Sequence, residues 1–239
     1  MSVPKAIRIG ILLGCGTLAL AAPPAAEFRP FATRYDFIWH DMNAGTAAFA
    51  LQRLSDNEWT YSSRTEPRGL FRLFSSANAT LQSRMSIGPD GVRPLHFSAR
   101  QGSSATTTAE VDFDWQQLRA TGRMDNANVE VALRAGVQDD LSVQVALIHA
   151  LVNGTTPTGI ALFDQAGVRD YEYSQVGTET LHTPLGDIDT IIYRSHRSYS
   201  PRSTRFWCAP AYGYIPVRAQ QHHNDEVEWT MELRSLQRD

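Results

Sequence analysis

From Thr33 onward apolar and polar residues take turns: Tyr35, Phe37 and Trp39 share one side of TRYDFIWH, Ala47, Phe49 and Leu51 one side of TAAFALQRL, and Trp59 and Tyr61 one side of EWTYSSRT. A period of two marks strands with one buried face. The pattern runs through most of the chain, and its longest interruption lies near the middle. Residues 137–154, VQDDLSVQVALIHALVNG, have no such period, and between Leu141 and Val152 only Ser142, Gln144 and His149 are polar. A helix apolar nearly all round must be covered on most sides. One this short cannot cross a bilayer, which needs roughly 20 residues, so protein has to cover it. Asp139 or Asp140 can cap its start, and Gly154 stands where a left-handed residue ends a helix. The sequence therefore predicts a mainly β chain, a curved antiparallel sheet or half-barrel around one buried central helix at about residues 139–153. Roughly a dozen strands are too many for a flat open sheet, which curls by about ten.

Turn signals fall between the alternating runs. Asp41 to Gly45, GPDG at 88–91 and Asp125-Asn126 each separate two strands, and Gly159, Gly167, Gly177, Gly186 and Gly213 punctuate the second half. EPRGLFRLF at 66–74 breaks the alternation and reads as a helical turn or a loop tucked over the sheet edge. No repeat and no long linker divides residues 33–237, which read as one domain. Residues 22–32, APPAAEFRPFA, read as a short Pro/Ala-rich leader.

Residues 1–21 carry Lys5 and Arg8, then an apolar run ending in Ala19-Leu20-Ala21. This is the pattern of an export signal cleaved near Ala21, which predicts a periplasmic protein with no membrane span after processing. The alternative is a lipid anchor, since Leu12-Leu13-Gly14-Cys15 resembles a lipobox; against it, only six residues separate Arg8 from Cys15 and the apolar run continues past the cysteine. Cleavage would leave 20 basic against 25 acidic side chains, a net charge near −5. That excludes a nucleic-acid partner, which needs a concentrated basic surface. Lys5 is the only lysine, so the processed chain has no Schiff-base chemistry, and Cys208 has no second cysteine to pair with.

Candidate chemistry is sparse. Asp112 and Asp114 in VDFDW share a strand face, about 6–7 Å apart along the strand, a spacing at which two carboxylates can act as acid and base on a glycoside; a solvated strand face produces the same pattern. His222 and His223 with Asp225 and Glu226 are the densest set of metal-ligand types, but adjacent strand residues point to opposite faces, and QQHHNDE reads as a polar hairpin tip. His149 on the helix is a core residue or faces a cavity. His96, His182 and His196 are scattered, and no GxSxG elbow accompanies them. Cys208 reads as a buried small hydrophobe. Arg194, Arg197, Arg202 and Arg205 form either an anion-binding rim or a solvated hairpin. No residue is assigned a catalytic role, and no metal or cofactor is expected.

The segments YDFIWHDMNAGTAAFAL, DGVRPLHF, VDFDW, GVQDDLS, ETLHTPLGDIDTI and FWCAPAYGYIPVRA, in this order over residues 33 to 236, resemble the bacterial exported family known as domain of unknown function 3108. The resemblance implies an exported, mainly β envelope protein and brings no reaction or catalytic residues. On the residues themselves, a curved sheet with inward aromatics and a helix at its mouth encloses an apolar hollow. The expected function is non-catalytic binding of an apolar or amphipathic envelope molecule: a lipid, an acyl chain or a lipoprotein segment. The expected lining is Trp39, Phe49, Trp59, Leu141, Ile148 and Leu151. Two alternatives stay open: an assembly factor with a filled core, and a polysaccharide hydrolase using Asp112 and Asp114. Oligomeric state is not legible.

Overall fold

The computed structural model describes residues 28–69, 71, 79–102, 106–164, 167–224 and 226–238. The export-signal and lipobox stretches, residues 70 and 72–74 of EPRGLFRLF, and Asp225 lie outside them.

Fifteen strands form one sheet: β1 (Phe31–Trp39), β2 (Met42–Arg53), β3 (Glu58–Pro67), β4 (Ala79–Gly88), β5 (Gly91–Gln101), β6 (Thr106–Asp114), β7 (Arg119–Met124), β8 (Ala127–Ala132), β9 (Val137–Gln138), β10 (Gly159–Asp164), β11 (Gly167–Thr183), β12 (Gly186–His196), β13 (Arg202–Ala209), β14 (Ile215–His223) and β15 (Glu226–Arg238). Among the described residues one complete α-helix, α1 (Ser142–Val152), lies between β9 and β10. The order across the sheet is β8 to β1, then β15 down to β9. Each strand except β8 and β9 thus lies beside its neighbours in sequence, and the first and last strands pair in the middle. The sheet curves almost into a barrel, yet no ladder joins β8 to the β9–β10 end, so it stays open there.

That topology explains the helix. Every pairing is antiparallel except β9 with β10, where Val137 and Gln138 lie parallel to Ala161 and Leu162. Antiparallel neighbours need only a hairpin, whereas parallel neighbours need a long crossover, usually helical. The 139–158 segment is that crossover, and it runs through the inside. One side of α1 (Val145, Ile148), with Leu141 ahead of it, joins a core with Trp59, Met85, Phe97 and Val111 of the β1–β8 arm. The other side (Leu147, Leu151) packs on Tyr173, Tyr193 and Cys208 of the β9–β15 arm. Burying each large aliphatic contributes about 1.5–3 kcal/mol. Eleven residues are marginal as an isolated helix, so this double burial is what holds it. Phe113 on β6 meets Phe163 on β10 across the interior, with ring centroids 5.4 Å apart.

The helix starts later than expected. Asp139 is two residues ahead of the N-cap position, Leu141, but its side chain does the capping: Oδ1 accepts from the backbone N–H of Leu141 (2.9 Å) and of Ser142 (2.7 Å). Gly154 ends the helix as expected, at φ +72°. Two-residue hairpins at His40-Asp41 and Asp125-Asn126 have both central residues left-handed, the turn that matches strand twist. Two glycines read as punctuation do other work. Gly45 lies within β2, beyond the turn, and Gly177 resumes the pairing of β11 with β12 directly after a bulge at Val176. The two short strands expected around Gly177 are therefore one strand of 17 residues. Residues 31 and 32 of the expected leader already belong to β1, and Phe28 packs on Trp59 (5.3 Å).

Candidate functional site

Between the first turn of α1 and the inner face of the sheet lies a cleft of about 430 Å³, partly open to solvent. Its walls come from β1–β3, β10–β15 and the helix, and eight of them are aromatic: Phe31, Tyr35, Phe49, Tyr61, Tyr171, Tyr173, Phe206 and Trp229. Strand alternation places them. Tyr171 and Tyr173, or Trp229 and Met231, are two apart on one strand and face inward together. Phe31, Tyr61, Phe49 and Tyr35 form a continuous run of ring contacts at 5.9, 5.8 and 5.6 Å, distances typical of favourable aromatic pairs.

The polar tips on this wall are mostly engaged by the protein. Tyr35 Oη donates to the Pro216 carbonyl (2.7 Å), Tyr61 Oη to Gln144 Oε1 (3.3 Å), and Trp229 Nε1 to Gln221 Oε1 (3.1 Å). Burial pushes the Tyr35, Tyr61 and Tyr173 hydroxyls above the ordinary tyrosine range, so they stay neutral. The cleft offers ring faces more than free hydrogen-bonding groups.

Among the described residues Asp140 is the one carboxylic acid on the wall. Asp140 is exposed, yet desolvation of its carboxyl by the neighbouring protein, with the like charges of Asp139 and Asp164, pushes it up to about 6. A carboxyl raised in the folded state binds more protons there than when unfolded, so its stabilising effect is complete below about 3.8 and is lost as pH rises through about 6. Asp140→Asn is therefore expected to melt with wild type near pH 4 and above it near pH 7, the gap opening between the two; equal gaps at both pH values in thermal melts would contradict this.

The expected lining residues separate. Phe49 is on the cleft wall. Trp59, Leu141 and Ile148 fill the core between helix and β1–β8 arm, and Leu151 fills the core on the other side. Trp39, 38% exposed, ends β1 at the hairpin against His40, after a register shift at Phe37/Ile38. His149 packs edge-on against Phe28 at 5.3 Å. Asp112 and Asp114 point outward from β6, exposed; Asp112 Oδ1 pairs with His96 Nδ1 (2.8 Å), while Asp114 Oδ1 accepts from the backbone N–H of Gln116 and Gln117. Both carboxylates have structural partners. His222 is buried and His223 lies by Glu228 (3.5 Å), on opposite faces as expected. Among the described residues no three His, Cys, Asp or Glu side chains converge on a metal position. Arg202 holds Glu228 in a two-pronged contact (3.1 Å each) rather than facing the cleft. Cys208 is fully buried, and burial pushes its thiol far up, so it stays protonated.

A second hollow of about 440 Å³ is lined by Ala48, Ala50, Ser62, Ser63, Arg34 and neighbours. Volume does not separate the two, since ligand sites span about 300–1,000 Å³. Chemistry does: apolar and aromatic walls with a few polar groups belong to the first.

The family described as "protein of unknown function (DUF3108)" matches residues 34–230. The chain belongs to the DUF3108 family. No curated protein matches its sequence. Among solved structures, this DUF3108 chain is similar to a β-barrel-like protein of the domain of unknown function DUF1849 from Brucella abortus, at 10% identity and a TM-score of 0.59 over 90% of this chain and 100% of that one. A protein described as exported, with a YmcC-like fold, from Bacteroides fragilis is 13% identical with a TM-score of 0.36, covering 87% and 94%. One described as a lipoprotein, from Parabacteroides distasonis, is 11% identical with a TM-score of 0.33, covering 88% and 96%. The first likeness supports the open, barrel-like fold of this DUF3108 chain. Among the described residues no helix is long and apolar enough to cross a membrane.

Proposed function

We propose that this DUF3108 protein is an exported, non-catalytic binding protein of the cell envelope, which holds an apolar or amphipathic molecule in the aromatic cleft beside α1. The observation that carries the reading is the wall itself: eight aromatic side chains around about 430 Å³ of open space. Aromatic surface facing solvent is costly unless something covers it, and a lipid, acyl chain or lipoprotein segment has the chemistry to do so. Export rests on residues 1–21, whose basic start, apolar run and Ala-Leu-Ala end fit a cleaved signal; cleavage near Ala21 places the protein in the periplasm, with anchoring through Cys15 as the alternative.

Native mass spectrometry of protein purified from the periplasm is expected to show a co-purifying amphiphile, and stripped protein to take up an uncharged lipophilic dye. Val143→Trp, on the cleft side of α1, fills part of the space and is expected to weaken dye uptake about tenfold, roughly 1.4 kcal/mol, with the melting temperature little changed. A clean apo mass with no dye uptake by wild type would sink the reading and favour an assembly factor that works through its surface.

A further inference from the structure

The charge pattern of the cleft narrows what its occupant carries at the polar end; this rests on the binding reading above. Among the described residues no Lys, Arg or His contributes to the wall, while Asp140 does. The carboxylates of Asp139 and Asp164 act on Asp140 with the same sign. Arg169, beside them, is already paired with Asp164 through Nε and Oδ2 at 2.5 Å.

The start of α1 would ordinarily be the place for an anionic headgroup, because helix N-termini present unpaired N–H groups. Here those groups are used. The N–H groups of Leu141 and Ser142 donate to Asp139 Oδ1, that of Val143 donates to the Asp139 carbonyl (3.1 Å), and that of Gln144 to the Leu141 carbonyl (3.1 Å). Among the described residues a carboxylate or phosphate entering the cleft finds no cation on the wall, the first helix donors are taken, and it meets Asp140. A cation finds the Asp140 carboxylate together with the negative faces of tyrosine, phenylalanine and tryptophan rings, which attract ammonium groups.

We propose that the cleft selects amphiphiles whose polar end is positively charged, an amine or quaternary ammonium on an apolar chain, and rejects anionic ones such as free fatty acids. Ring faces set the fit of the chain and Asp140 sets the sign of the head.

The test uses the mature full-length chain near neutral pH and three probes of one chain length, dodecyltrimethylammonium, dodecanol and dodecanoate, each below its micelle concentration and each competing against the uncharged dye. The ammonium probe is expected to bind about ten times more tightly than dodecanoate, a ratio worth roughly 1.4 kcal/mol. In Asp140→Asn that ratio is expected to fall towards one, read within the same protein so that any change in overall stability cancels. Dodecanoate binding as well as the ammonium probe, or a ratio that persists in Asp140→Asn, would overturn the charge selection while dodecanol displacement still shows a working cleft. Failure of all three probes, dodecanol included, would instead overturn the cleft as a binding site.

Discussion

Gly122→Ala is expected to destabilise the protein by about 3 kcal/mol, lowering the melting temperature by about 9 °C for a chain of this size. Gly122 lies in β7 opposite Val111 of β6, at φ +157°. A Cβ there would stand 2.1 Å from the Glu110 carbonyl oxygen and 2.8 Å from Val111 Cα. Both are backbone atoms of a paired strand, so no side-chain rotation relieves the overlap, and the β6–β7 ladder has to open. Gly45 repeats the arrangement against β3, with Glu66 O at 2.2 Å, and Gly45→Ala is expected to cost about the same. Gly154→Ala is the control. Gly154 also has positive φ but nothing within 4 Å of the added carbon, so only backbone strain of about 1–2 kcal/mol applies. Urea melts of the three variants separate the causes; equal losses at 122 and 154 would mean that backbone angle, not strand approach, is what these glycines serve.

The same residues show how far the fold could be read in advance. Alternation identified strands correctly because a residue's face depends only on its position within its own strand. What a glycine does depends on a partner strand far away in sequence. Gly45, Gly122 and Gly177 look alike in the chain, yet two admit a neighbouring backbone and the third follows a bulge. The capped apolar helix was legible from Asp139, the run from Leu141 to Val152, and Gly154. Its reason, the parallel pairing of β9 and β10, was not, since a two-residue strand leaves no periodic trace. The pairing of β1 with β15 is equally non-local.

The site divides along a similar line. Inward-facing aromatics could be listed, but whether such a residue meets an open cleft or the flank of α1 depends on where the helix lies along the bowl. Trp59 and Phe49 alternate inward by the same rule, and the first is covered while the second is on the wall. The larger share of the cleft comes from β10–β15, where YEY at 171–173, STRFW at 203–207 and EWTM at 228–231 carry the inward aromatics. The alternation of those segments was visible in the sequence; that the helix leaves this arm partly uncovered was not. Asp140 was legible as a capping candidate, but the capping carboxylate is Asp139, which frees its neighbour to face the cleft.

Asp139→Ala is expected to be the most damaging polar substitution, at about 4 kcal/mol or roughly 12 °C. Asp139 is 1% exposed, and its oxygens serve two parts of the fold at once. Oδ1 caps α1 through Leu141 and Ser142, Oδ2 accepts from Ser83 Oγ on β4 (2.6 Å), and Ser142 Oγ accepts from the Asp139 N–H in return (2.8 Å). Alanine removes a cap worth about 0.5–2 kcal/mol and strands the Ser83 hydroxyl in a dry interior, at about 1–3 kcal/mol. It also unfastens the crossover from the sheet floor, so loss of cleft binding should accompany the loss of stability. Asp139→Asn separates hydrogen bonding from charge. The amide keeps Oδ1 for the two backbone donors and offers Nδ2 to Ser83 Oγ, and it removes a carboxylate whose burial raises its pKa. Its cost is expected to be about 1 kcal/mol at neutral pH. Ser83→Ala, which deletes one donor to a buried carboxylate, should fall between them at about 2 kcal/mol. Chemical denaturation of the three variants gives the ranking directly. An Asp139→Asn variant as unstable as Asp139→Ala would show that the anion, not the bridge from helix to sheet, fastens α1 inside the barrel.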